Sequence, residues 1–256
     1  SSLLLQSLSK LNALYISGEE SAEQVKERAE RLNIKLDNFL FSENLQIEGI
    51  IEGLEEIKNK IEVLVIDSIQ TVYSKQIDGS PGSISQLKES AARLIIAAKK
   101  LKLAIIIVGH ITKGGEIAGP KSLEHMVDCV LGFEGERVSN FRVLRASKNR
   151  FGQTDEIGIF EMKESGLIEV TNPLVFIDHK EEEIGKAVIG VLEGKRSLYF
   201  EIQTLAVSTM LPVPRRVVKG LDYNKVLLLL AVVRKYLNHP LDKFDIYVNV
   251  IGGVNI

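Results

Sequence analysis

The stretch Glu62-Val63-Leu64-Val65-Ile66-Asp67-Ser68-Ile69-Gln70 decides how the rest of the chain is read. Val63 to Ile66 are four consecutive apolar residues, three of them β-branched, which is the composition of a strand buried on both faces of a parallel sheet. A carboxylate costs too much to leave unpaired in a core. Asp67 is therefore expected at the sheet's carboxyl edge, where open α/β folds bind ligands.

Working outward, short strands and amphipathic helices alternate. Ala13–Ile16 reads as a strand that runs into the turn Ser17-Gly18-Glu19-Glu20, and Ser21 as the N-cap of a helix burying Val25, Ala29 and Leu32. Asn38–Phe41 is a further strand, and Ile47–Lys60 and Ile84–Lys102 are helices. Leu103–Val108 is expected as a second fully buried strand, ending at Gly109-His110. This order predicts an α/β fold with a doubly wound, mostly parallel sheet. Val127–Phe133, Phe141–Ala146, Glu156–Glu161 and Gly166–Val170 are expected as antiparallel additions at its edge. Asn172-Pro173 breaks the pattern, and a boundary near Thr171 divides residues 1–171 from a smaller unit, 172–256. That unit carries strands at Ala187–Leu192, Leu198–Ala206 and Asp245–Val250 and a helix at Asn224–Tyr236.

The composition limits the function classes. At 256 residues and 45% hydrophobic content the chain can bury one large core or two modest ones. No apolar run reaches transmembrane length and no signal sequence opens the chain, so a soluble, cytoplasmic protein without a membrane partner is expected. The single Cys129 excludes an internal disulfide framework and a multi-cysteine zinc site, and is expected to be a small buried hydrophobe. A net charge of −2 means that any nucleic-acid contact depends on local clusters of basic residues. The abrupt start and end suggest a piece of a longer protein.

Five constellations carry candidate chemistry. Asp67 after its apolar strand is the Walker B pattern, whose acid helps hold Mg²⁺ against nucleotide phosphates; Ser1 and Ser2, opening a helix, are either an ordinary cap or the hydroxyl that completes that site. Glu19 is either an acid suited to a helix start or a carboxylate that orients and deprotonates water. His110 is either a surface turn residue or a polar sensor of the γ-phosphate. Lys148 and Arg150 flank Asn149 at a strand end, so strand alternation points both cations to one side, where they could clamp phosphate oxygens; the alternative is an edge protected by charge. Finally, the glycine-containing loops Ser74–Gly82 and Thr112–Lys121 carry Lys75, Lys113 and Lys121, enough to grip a phosphodiester backbone without reading bases.

Together these residues resemble the bacterial RadA/Sms family of recombination and repair ATPases. The resemblance runs through Leu14-Tyr-Ile-Ser-Gly-Glu-Glu-Ser21, Val65-Ile-Asp-Ser-Ile-Gln-Thr71, Pro81-Gly-Ser-Ile-Ser-Gln86 and Val108-Gly-His-Ile-Thr-Lys113. It continues in Ile117–Lys121, Leu123–Asp128 and the pentapeptide Lys148-Asn-Arg-Phe-Gly152, then in Pro214-Arg-Arg216, Gly220–Asn224 and Val248–Gly253. It implies a RecA-like ATPase domain followed by a smaller α+β domain like that of the Lon protease, the latter incomplete at its C-terminal end. It also implies ATP/ADP and Mg²⁺ as cofactors, with Ser1 or Ser2 and Asp67 at the metal.

By the same resemblance Glu19 activates water, His110 senses the γ-phosphate, and Lys148 and Arg150 reach a neighbouring subunit's nucleotide. Lys75, Lys113 and Lys121 lie in loops that contact DNA, and Arg215, Arg216 and Lys219 are either duplex contacts or ordinary surface charge. The implied activity is a helicase-type translocase: a homo-hexameric ring on single-stranded DNA that drives branch migration of recombination intermediates, beside a RecA-type recombinase. Two departures stand out: most of the phosphate loop is absent, and so is the family's four-cysteine zinc module, so no zinc is assigned. A Lon-class ATP-dependent serine protease and a non-enzymatic, nucleotide-gated ring scaffold are the competing readings.

Overall fold

The computed structural model describes residues 2–110, 119–135, 140–172, 174, 177, 184–193 and 196–251, with the backbone alone at 119–121, 193 and 196. The chain forms two compact units, Ser1–Val130 with Glu164–Leu167, and Leu131–Lys163 with Ile168–Ile256.

In the first unit, α1 (Ser2–Leu8), β1 (Ala13–Ser17), α2 (Ala22–Arg31), β2 (Phe39–Ser42), α3 (Ile47–Ile57), β3 (Val63–Asp67), α4 (Ile84–Leu101) and β4 (Ala104–Ile107) follow in turn, and α5 (Gly119–Glu124) comes after them. The four strands form one parallel sheet in the order β2-β1-β3-β4. Every residue of β3 is buried. Its alternation serves two cores. Val63 and Val65 pack with Leu5, Leu8, Ala13, Tyr15 and Val25 on the side of α1 and α2. Leu64 and Ile66 pack with Ile50, Leu54, Leu87 and Leu94 on the side of α3 and α4. Each such side chain stabilises the fold by about 1.5–3 kcal/mol, which is why an apolar run without polar alternation makes the central strand. At the other end of the size scale, Ser21 closes a capping box with Gln24 and starts α2 at the expected residue.

The α/β class and the parallel sheet agree with the sequence reading, but two details differ. β4 is an edge strand, so Ala104 is exposed and Ile105–Ile107 are only half-buried instead of fully covered. The later strands do not extend this sheet. β5 (Cys129–Glu134), β6 (Phe141–Asn149), β7 (Ile157–Lys163) and β8 (Gly166–Glu169) form a sheet of their own, with β6 and β7 antiparallel. Cys129 opens the edge strand β5 and is exposed, not buried, because among the described residues no strand pairs beyond that edge.

The second unit contains a third sheet, built from β9 (Lys186–Glu193), β10 (Arg196–Ser208), β11 (Arg216–Lys219) and β12 (Phe244–Val250) in the order β11-β12-β10-β9, with helix α6 (Tyr223–Leu237). Val143, Ile157 and Ile159 from β6 and β7 share a core with Leu198, Phe200 and Val250, which groups the two later sheets in one unit. The sequence boundary near Thr171 falls in the connection between those sheets. Among the described residues, no helix is long and apolar enough to cross a membrane.

Candidate nucleotide site at the sheet switch point

In the order β2-β1-β3-β4 the chain steps outward from β1 to β2 and then returns past β1 to β3. The ends of β1 and β3 therefore flank the point where the winding reverses, the crevice in which doubly wound sheets bind ligands. Glu19 follows β1, Asp67 ends β3, and His110 follows β4.

Gly18 makes the first turn possible. A Cβ there would lie 2.4 Å from Thr71 Oγ1 and 2.6 Å from Thr71 Cβ. Its amide donates to the Asp67 carbonyl at 3.1 Å, carrying the β1–β3 ladder one step past the strand. The buried Ser17 hydroxyl accepts from the amides of Glu19 and Glu20 at 3.3 and 3.0 Å, fixing the turn from below. Glu20 itself pairs with Arg28 of α2.

The charged groups are held by specific partners. Ser68 is fully buried and donates to Glu19 Oε1 at 2.6 Å, while His110 Nε2 lies 3.2 Å from Glu19 Oε2, an ion pair when the imidazole is protonated. Asp67 is 3% exposed and accepts from the Tyr15 hydroxyl at 2.5 Å. The Asp67–Ser68 peptide is cis. Gln70 Nε2 donates to the His110 carbonyl at 3.2 Å, and the amide of Ile69 to the Val108 carbonyl at 2.9 Å, so the ends of β3 and β4 are tied together. One ligand atom from each of Glu19, Asp67 and His110 lies within 4.8 Å of the others. Two carboxylates and an imidazole at that spacing suit a divalent cation, with Asp67 the buried, oriented member.

Of the other expected site residues, Ser2 opens α1, and α1 packs on the same face of β3 as the Asp67 side chain. Ser1 and Lys113 lie outside the described residues, as does the side chain of Lys121 in α5. Lys75 is exposed on a loop fastened from beneath by Gln86, itself 1% exposed. The Gln86 amide accepts from the Ser74 amide at 2.8 Å and donates to the carbonyls of Ser74, Ile77 and Gly79 at 3.0, 2.8 and 3.2 Å. Ser74 also donates to Glu48 at 2.5 Å, and Arg93 donates to the same oxygen at 2.7 Å. Burial opposes ionisation of Glu48, but the Ser74 hydroxyl, its own backbone amide, Gln46 and the Arg93 guanidinium outweigh it and hold the carboxyl below its ordinary range.

The remaining candidates belong to the second unit. Lys148 is half-buried within β6, but the strand ends at Asn149, so Arg150 sits in the turn and strand alternation does not set its direction. Asn149 builds that turn: its Nδ2 donates to the Gln153 carbonyl at 3.2 Å and its Oδ1 accepts from the Phe151 amide at 3.0 Å. Phe151 is left 82% exposed. Arg215 and Lys219 are exposed around β11. Arg216 is half-buried, its guanidinium donating to the carbonyls of Arg215, Phe244 and Leu241 at 2.9, 2.6 and 2.8 Å, which holds the segment before β12.

Tyr15, Ser68 and Gln86 also serve these sites, and their roles are not marked by position in the sequence. For Tyr15 a signal was present: it shares a strand face with apolar neighbours, where phenylalanine would fill the space and only a hydroxyl needs a reason.

No protein-family model matches the chain. The chain is 46% identical over 263 residues to the DNA repair protein RadA of Halalkalibacterium halodurans, and 47% identical over 263 residues to that of Listeria monocytogenes. In both cases all of this chain is aligned with 57% of the relative. Among solved structures it is similar to the RadB recombinase, with a TM-score of 0.48 and 20% identity, covering 66% of this chain and 84% of that one. The chain belongs to the family of proteins named DNA repair protein RadA, and spans somewhat over half of their length.

Proposed function

We propose that the chain is the ATP-hydrolysing and DNA-gripping part of a recombination and repair motor, which moves along single-stranded DNA as a hexameric ring and drives branch migration. The observation that carries this reading is the meeting of Glu19, Asp67 and His110 at the switch point of a parallel sheet. The printed name of the relatives, DNA repair protein, supports the biological setting. Residues 1–171 are read as a RecA-like ATPase domain and 172–256 as a Lon-protease-like domain serving as scaffold and DNA surface, with the work done in the cytoplasm.

Asp67, with Ser1 or Ser2, would hold Mg²⁺, which when bound would supply positive charge to offset that of the nucleotide's phosphates. Glu19 orients the attacking water and takes its proton, kept in position by Ser68. His110 contacts both Glu19 and, through its carbonyl, Gln70, so a change at the γ-phosphate can pass into the loop that follows. Lys148 and Arg150 act on the nucleotide of the adjoining subunit, with Arg150 supplying a forked donor and Lys148 a point charge. Because hydrolysis then needs two subunits, a closed ring is the simplest working form. Lys75, Lys113, Lys121, Arg215 and Lys219, with Arg216 behind them, grip the DNA backbone, and branched intermediates and a RecA-type recombinase are the partners.

The test is ATP turnover with and without single-stranded DNA. The expected result is stimulation at low salt that falls steeply as salt rises. Turnover indifferent to DNA at low salt contradicts the motor.

A further inference from the structure

We infer that Tyr15 is a positioning residue for the metal site, acting through Asp67. The inference rests on the reading of Asp67 as a Mg²⁺-holding carboxylate. Tyr15 stands beside Val65 in the β1–β3 register, and Asp67 lies two residues further along the same face of β3. The hydroxyl therefore meets its diagonal neighbour, donating to Asp67 Oδ2 at 2.5 Å. The ring is 1% exposed and stacked on Phe41 of β2, with centroids 6.4 Å apart and planes at 15°. It sits among Leu5, Leu8, Ala13, Val25 and Val63, where packing alone would be met by phenylalanine.

The chemistry of the donor matters. A carboxylate at the end of a strand can rotate, and rotation spoils the direction of the oxygen offered to a cation. A lysine or arginine could stop that rotation, but its charge would repel the ion. A tyrosine hydroxyl holds the carboxylate without adding charge, and the clamped ring keeps the hydroxyl from swinging away. Partners of this kind behind a metal ligand typically change metal affinity by about 10- to 100-fold. Tyr15 is almost fully buried and acts through Asp67, so its effect should appear in the metal dependence and not in nucleotide recognition as such.

The experiment is a fluorescence titration of the intact protein with a fluorescent ATP analogue at increasing Mg²⁺, comparing wild type, Tyr15→Phe and Asp67→Asn. The expected result for Tyr15→Phe is a Mg²⁺ half-saturation raised about 10- to 100-fold, with nucleotide binding in chelator unchanged. A Tyr15→Phe curve that overlays a Mg²⁺-dependent wild type overturns the role of Tyr15 and leaves the reading of the site standing. Wild-type binding indifferent to both Mg²⁺ and Asp67→Asn overturns both. Should Tyr15→Phe fail to fold, 3-fluorotyrosine incorporated into the unsubstituted protein gives a second reading. The fluorine resonance of Tyr15 is expected to shift as Mg²⁺ is added with nucleotide, and a resonance that does not move overturns the inference.

Discussion

The turns that follow β1 and β6 are built in opposite ways. The turn after β1 is enclosed: Gly18 fits against Thr71, Ser17 holds two amides, and Glu19 is held by Ser68 and His110. The turn after β6 is organised by one side chain, Asn149, and sets Phe151 out into solvent. The first has its geometry fixed by its own unit. The second has a fixed shape around an exposed aromatic and a cation, which is the form expected of a group that acts on another molecule. The difference teaches that crowding the first turn should register in the stability of the subunit itself, and crowding the second should not.

The sharpest break is expected at Glu19. Glu19→Gln should lower kcat by about 10²- to 10⁴-fold, with a thermal midpoint close to that of wild type; equal turnover would remove Glu19 from the chemistry. Next is the pair of glycines. Gly18→Ala must displace Thr71 and should cost about 1–3 kcal/mol in urea unfolding. Gly152→Ala places its Cβ 3.3 Å from Asn149 Nδ2, a side-chain atom that has to give by only a few tenths of an ångström, and should stay within about 0.5 kcal/mol. Equal costs would abolish the contrast between the turns.

The loop under Lys75 gives a third comparison. Gln86→Leu strands the buried groups of Ser74 and should cost about 1–3 kcal/mol in the same assay, while Lys75→Ala should be near neutral for stability and weaken DNA binding. The smallest effect concerns pH. The folded-state pKa of Glu48 is depressed, so its contribution is present above the ordinary carboxylate range and is lost as pH falls through the folded value. Glu48→Gln should therefore flatten part of the acid-side loss of stability, measured as urea midpoints from neutral pH downward. A pH profile parallel to wild type would rule this out.

Much of the first unit could be read from residue order because burial leaves a period. Val63–Ile66 read as a strand buried on both faces and form one, and Ser21 with Gln24 marked the start of α2. Glu19, Asp67 and His110 were each found from their position after a strand, since the carboxyl ends of parallel strands come together whatever the loops do. What the order did not carry was the partner of each surface. β4 looked fully buried because three isoleucines read alike in a central and an edge strand, and Cys129 misled for the same reason. β11 was missed because Arg216–Lys219 contains only two apolar residues, Val217 and Val218. Nor could spacing show that Gln86 reaches four backbone groups, or that Tyr15 meets a residue 52 positions away.

The central claim is that one catalytic site is made by two copies of the chain, and mixing two inactive variants tests it most directly. Glu19→Gln subunits keep Lys148, and Lys148→Ala subunits keep Glu19, so a mixed ring contains interfaces with both groups intact. The account predicts that co-assembled variants regain DNA-stimulated ATP hydrolysis that neither shows alone. A mixture no more active than the sum of its two components, with co-assembly verified, would contradict it.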